Sequence, residues 1–173
     1  MSTDAPDTTG TEIPLAATTE ARAVVPALIS SIEAVTRSRL LMVGTDILLA
    51  EVATLLSDSQ IGLVVVCDVS GSVVGIITET ILVRQLGFAQ ADVFTTHAGE
   101  VMMREFTVCA PADSLSTVLA TMHNRGFLHV LVVDANRKPL GVLNARDGLR
   151  ALLAAGNHEE ALLRNYVMGV GYQ

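Results

Sequence analysis

Gly141-Val142-Leu143-Asn144-Ala145-Arg146-Asp147 is the stretch that decides how this chain is read. An apolar strand ends there at a polar turn and opens directly into the helical pattern Gly148 to Leu153. Gly75-Ile76-Ile77-Thr78-Glu79-Thr80-Ile81 repeats the arrangement 66 residues earlier. A repeat of that period signals two copies of one supersecondary unit.

Working outward, each copy shows the same order of elements. In the first, Leu40 to Val43 reads as a short strand. Gly44-Thr45-Asp46 then gives a turn with Asp46 as the helix cap, and the helix buries Leu48, Val52, Leu55 and Leu56. The β-branched run Val64-Val65-Val66 and the strand Val73 to Ile77 form a hairpin around Asp68 to Ser72. Thr78 caps a helix through Leu86. In the second copy Thr107 to Ala110 is the short strand, stopped at Pro111, and Asp113 caps a helix with Leu115, Val118, Leu119 and Met122 on one face. Leu128 to Val133 and Leu140 to Leu143 form the second hairpin. The fold class is α+β (mixed α/β): two pseudo-symmetric units, each strand-helix-strand-strand-helix, packed sheet to sheet.

This divides the chain into an N-terminal segment, 1–21, rich in Thr, Ala, Asp and Pro and expected to be disordered; a leading helix, 22–38, with its apolar face at Val25, Leu28, Ile29, Ile32 and Val35; repeat one, 39–90; a linker, 91–100; repeat two, 101–155; and a C-terminal helix and tail, 156–173. Val101-Met102-Met103 reads as an apolar anchor into the second repeat.

Composition excludes several classes of function. The chain has 173 residues, is 50% hydrophobic and carries a formal net charge of −7. Its basic residues are spread from Arg22 to Arg164, and Trp is absent, which disfavours nucleic-acid binding. No apolar run approaches the roughly 20 residues that span a bilayer, and the N-terminus lacks a basic, then apolar, signal pattern; the reading is a cytoplasmic protein with no membrane partner. Cys67 and Cys109 read as reduced, buried thiols. His97 with Glu100, or His158 with Glu159 and Glu160, fall short of a zinc ligand set, so no metal site is expected. With no nucleophile, acid–base pair or phosphate loop in view, neither is an enzyme.

The residues resemble the cystathionine-β-synthase (CBS) domain, present as a tandem pair or Bateman module. The resemblance rests on Val101-Met102, Thr107 to Leu115, Gly126-Phe127, Val132-Val133-Asp134 and Gly141 to Asp147. In the first copy it rests on Asp46 to Val52, Ile61-Gly62, Val66-Cys67-Asp68 and Gly75 to Glu79. It implies a stand-alone regulatory module, a homodimer, that binds an adenosyl compound (AMP, ADP, ATP or S-adenosylmethionine) as a regulatory ligand, senses energy state and signals to an unidentified target protein; no cofactor is required. An interaction module with vestigial clefts is the alternative.

The resemblance places the ligand beside Asp147, whose carboxylate offers acceptors for both ribose hydroxyls, with Asn144, Arg146, Val108, Ala110, Phe127, Leu128 and His129 as further contacts. Asn144-x-x-Asp147 equally fits a capping box, in which Asp147 reaches back to the Asn144 N–H. The second cleft, with Thr78, Ile81, Gly62, Leu63 and Val43, is the weaker, because Ile81 stands where the acid would be and leaves no carboxylate for a ribose. One competent adenosyl site per chain, containing Asp147, is the expectation.

Overall fold

The computed structural model describes residues 26–59, 61–88 and 92–156; the N-terminal segment and the C-terminal helix anticipated from sequence lie outside them. A 3-10 turn, Ile29–Ile32, runs into α1, Glu33–Ser38. The first repeat follows as β1 (Met42–Gly44), α2 (Leu49–Ser59), β2 (Leu63–Cys67), β3 (Val73–Thr78) and α3 (Glu79–Gly87). After α4 (Ala98–Val101) the second repeat supplies β4 (Val108–Cys109), α5 (Leu115–Arg125), β5 (His129–Val133), β6 (Pro139–Asn144) and α6, helical over 145–156.

Each repeat builds one three-stranded sheet in which the first strand pairs parallel to the second and the second antiparallel to the third. The copies keep one register. Leu63 pairs with Thr78 as His129 pairs with Asn144, and the ladder slips at Val66/Cys67 as it does at Val132/Val133. The hairpin loops share a cause. Asp68 Oδ1 accepts from the Ser70 and Ser72 N–H groups at 2.8 and 3.0 Å, and Asp134 Oδ1 accepts from those of Asn136 and Lys138, both at 2.8 Å. Such a carboxylate fixes a tight loop by replacing backbone hydrogen bonds.

The central strands are apolar, apart from His129 at the start of β5, because both faces of each sheet are covered. Val64 and Val66 face a core shared with Leu49, Val52, Leu56 and Leu82. Val130 and Val132 face its counterpart with Leu115, Leu119 and Met122. The alternate residues Leu63, Val65, Cys67, Leu131 and Val133 meet between the two sheets, with Val142. The sheet-to-sheet arrangement expected from sequence is thus present, and the third core joins the repeats.

The segments leading into the repeats are exchanged. Ile29 is buried in the core of the second repeat, and Thr36 of α1 packs on Gly141 of β6. Reciprocally, Ala98 and Met102 are buried in the core of the first repeat, Met102 against Gly75 of β3. A Cβ on Gly141 would lie 2.8 Å from the Thr36 backbone carbonyl carbon, and one on Gly75 would lie 2.7 Å from Met102 Cγ. These glycines are required by close approach. The anchor role read for Val101-Met102-Met103 is what the Met103–Ile76 bridge and buried Met102 provide.

Several local expectations are corrected. The leading helix is shorter than a run to Val25 would make it, its first turn being 3-10. Asp46 does not cap α2, which starts at Leu49. Ser114, not Asp113, is the N-cap residue of α5; Asp113 Oδ2 instead accepts from the Ala110 N–H at 2.8 Å, closing the turn after β4. Thr78 does cap α3, its hydroxyl accepting from the Ile81 N–H at 3.3 Å.

Candidate functional site

A cleft of about 810 Å³ opens between the repeats. The first repeat contributes Gly62 and Leu63 at the start of β2 and Thr78-Glu79-Thr80 where β3 becomes α3. The second contributes Met103 to Thr107 ahead of β4, Arg125 to His129 between α5 and β5, and Arg137 from its hairpin loop. A volume of this size suits a nucleotide-sized ligand. Its walls offer two aromatic rings, Phe106 and Phe127, three guanidinium groups, Arg104, Arg125 and Arg137, and two carboxylates, Glu79 and Glu105.

Of the residues singled out by sequence, Phe127, Leu128, His129, Thr78, Gly62 and Leu63 line this cleft, while Asp147, Asn144, Arg146, Val108, Ala110, Ile81 and Val43 do not. Val43 is buried in the first core and Ile81 packs against it, which is why an apolar residue stands there. Val108 lines a smaller hollow of about 350 Å³ with Thr107, Asp113 and Thr117, and Ala110 is exposed on the turn after β4. Sequence reasoning missed Glu79, Glu105, Arg104, Arg125, Arg137 and Phe106. Glu79 and Glu105 bring carboxylates to this cleft, which Ile81 does not line. The repeat itself held the signal, since Glu105 is the copy of Arg39 and Phe106 the copy of Leu40.

The Asp147 turn is differently occupied. Arg39, the C-cap residue of α1, donates from Nε to Asp147 Oδ2, with the Asp147 side chain 9% exposed and that of Arg39 33%. Asn144 Oδ1 accepts from the Arg146 N–H at 2.9 Å. The capping box is therefore half formed: Asn144 serves the first turn of α6, whereas Asp147 turns to Arg39 rather than back to Asn144.

His129 stands between the two turns. Asn144 Nδ2 donates to His129 Nε2 at 3.1 Å, which requires that nitrogen to be unprotonated, and the ring lies against Gly62 on the other side. Burial, then the Arg39 cation, push the imidazole below the usual histidine range, with Glu79 opposing them. His129 is neutral at pH 7 and links the open cleft to the Asp147 turn.

Other titratable groups have structural explanations. Glu100 accepts from the His97 N–H at 2.9 Å and sits 3.2 Å from its Nδ1, capping α4, and these hydrogen bonds hold its carboxyl below the usual range. Among the described residues no group of three His, Cys, Asp or Glu could hold a metal ion, and no helix is long and apolar enough to cross a membrane. Burial pushes the Cys109 thiol up to about 12 and raises that of Cys67.

Two repeats of one register, leading segments exchanged and a cleft between them define a tandem module of the pair type. The family comparison names it: the CBS domain matches residues 32–87 and again 98–154, and the chain belongs to that family. A protein of 17.7 kDa from Acidianus ambivalens, itself uncharacterized, is 27% identical over 124 residues, covering 72% of this chain and 74% of its own. Among solved structures, the CBS domain pair of protein MJ0100 in complex with 5′-methylthioadenosine and S-adenosyl-L-methionine superposes with a TM-score of 0.64 at 21% identity, covering 76% of this chain and 98% of that one. CBSX2 in complex with AMP gives a TM-score of 0.64 at 20% identity, covering 75% and 98%.

Proposed function

We propose that this chain is a regulatory module that takes an adenosyl compound into the cleft between its repeats and passes the binding event to a partner protein, working as a homodimer. The observation that carries this is the composition of the 810 Å³ cleft, in which aromatic, cationic and acidic groups from both repeats converge. Phe106 and Phe127 supply faces for a purine. The arginines supply charge for phosphate. Glu79 supplies, at the first turn of α3, the ribose acceptor that Ile81 does not. The AMP and S-adenosylmethionine held by two structural neighbours support the ligand class.

Regulation follows from where the contacts originate. A ligand touching Thr78 and Glu79 on one side and Phe127 and Arg104 on the other favours whichever relation of the repeats lets it reach both. A ligand shifts such an equilibrium by its difference in affinity for the two arrangements. Titration calorimetry with AMP, ATP, NAD and S-adenosylmethionine tests the reading. At least one binds, and Phe127→Ala weakens it about tenfold, the scale of one lost base–aromatic contact. No heat and no thermal shift with any of them overturns it.

The Arg39–Asp147 pair favours a second reading, an interaction module whose clefts have lapsed, because it occupies the carboxylate a ribose needs. That reading gains if the four compounds fail while loss of residues 157–173 abolishes partner capture.

A further inference from the structure

We infer that the smaller hollow, beside β4 and α5, is the docking surface for this chain's own leading segment, with Val24 filling it as Val93 fills its counterpart in the first repeat. The inference is independent of any ligand in the cleft.

The segments that lead into the repeats make matching contacts in succession. The Ala98 N–H donates to the Ile47 carbonyl at 2.8 Å, as that of Ile29 donates to Asp113 at 3.0 Å. Gly99 donates to Thr45 as Ser30 donates to Pro111, each at 2.9 Å. The Leu49 N–H donates to the Thr96 carbonyl at 3.0 Å, and that of Leu115 to Ala27 at 2.8 Å. The bridges Leu48–His97 and Ser114–Leu28 complete the match. In every pair the leading residues stand 69 positions apart, as Ile29 and Ala98 do, and their partners 66, as Leu49 and Leu115 do.

One further contact of the first repeat identifies the occupant. The Ala50 N–H donates to the Val93 carbonyl at 2.9 Å, and Val93 packs against the core cluster that holds Val43, Val52 and Val64. The same offsets map Ala50 onto Ser116 and Val93 onto Val24, which lies outside the described residues. They map the three core valines onto Cys109, Val118 and Val130. Those are the apolar floor of the 350 Å³ hollow, with Val108 and Thr121 at its sides. The place that an aliphatic side chain fills in the first repeat is thus a hollow among the described residues of the second, and the sequence supplies the same residue type to fill it.

Reach favours this occupant over an outside partner. Only Val25 and Pro26 separate Val24 from Ala27, which is already hydrogen-bonded to Leu115. A side chain tethered so closely acts at an effective concentration on the order of millimolar or above, which a free peptide must outcompete. The turn that aims it differs in chemistry. Asp92 Oδ1 accepts from the Phe94 N–H at 3.0 Å in the first repeat, whereas Ala23 stands at the equivalent position and Pro26, with its fixed φ, restricts the second.

The test is nuclear magnetic resonance of the full chain, with the Val24 methyl signals assigned by their loss in Val24→Ala. The expected result is nuclear Overhauser contacts from those methyls to Val118 and Thr121 within one chain. The Ser116 amide should also exchange with solvent about tenfold more slowly in the wild type than in Val24→Asp, the factor one ordinary hydrogen bond supplies, with Ala50 unchanged. Val24 methyls that contact neither residue leave the hollow to an outside partner and overturn the inference. Contacts seen only between chains, in a mixture of labelled and unlabelled protein, give the hollow to a second copy and overturn it too. So does a Ser116 amide that exchanges equally fast in both proteins.

Discussion

The turns Thr78-Glu79-Thr80-Ile81 and Asn144-Ala145-Arg146-Asp147 occupy the same place in the two repeats and end the same strand with the same pairing. One opens onto a cleft and the other is closed by an arginine. The difference shows at two equivalent positions of the repeats. Where the first has Glu105 and Ile81, the second has Arg39 and Asp147, opposite charges that meet. The two repeats share one backbone arrangement and differ in the charges at these positions.

The comparison is sharpened first in the cores, where the effect is largest. Leu49 and Leu115 are copies and both are fully buried. Leu49→Ala and Leu115→Ala should each cost about 2–5 kcal/mol in urea unfolding, the range for deleting a buried leucine. Closely matched losses are expected; a several-fold disparity would break the equivalence of the cores.

A smaller asymmetry is expected at the paired glycines. Gly141→Ala meets the backbone of Thr36 and should cost about 1–3 kcal/mol, as overpacking does. Gly75→Ala meets the thioether side chain of Met102, which can turn aside. It should cost less. Unfolding curves of the two variants decide the point, and the reverse order would contradict the packing described.

Why the fold was legible and the site only half so is visible at these positions. The hairpins, the helix after Thr78 and the repeat itself follow from alternation, Asp-anchored loops and glycine spacing, all local signals. Asp147 was legible as a carboxylate at a helix start, but its partner Arg39 comes from a segment belonging to the other repeat, a pairing that no local pattern announces. Asp113 and Ser114 are adjacent and both residue types favour an N-cap, so sequence alone does not choose between them. Glu105 and Arg104 were passed over because the approach to β4 has no periodicity of its own. The comparison of positions 39 and 105 flags Glu105.

A milder effect separates the turns in pH. His129 has its folded pKa below the unfolded value, through burial and Arg39, with Glu79 opposing and Asn144 donating to Nε2. The neutral form is the one the fold accommodates. Its contribution is complete above the ordinary histidine value of about 6.5 and is lost as pH falls through the folded pKa. Thermal stability should decline over that acidic range, and His129→Gln should flatten the decline. Leu63, not an ionisable group, is the counterpart of His129, so no first-repeat variant should reproduce the change.

The smallest response belongs to the thiols. Cys67 on β2 and Cys109 on β4 are buried, not copies of one another, and both have raised pKa, Cys109 at about 12. Iodoacetamide at pH 8 should label neither in the folded protein and both in urea, since the thiolate is the reactive form.

The central claim is that an adenosyl ligand bridges the repeats through the open cleft, and a crystal structure grown with saturating AMP tests it most directly. The account predicts a nucleotide in contact with Thr78 to Thr80 on one side and Phe127 to His129 on the other. A cleft holding only solvent, or AMP seated away from both segments, would contradict it.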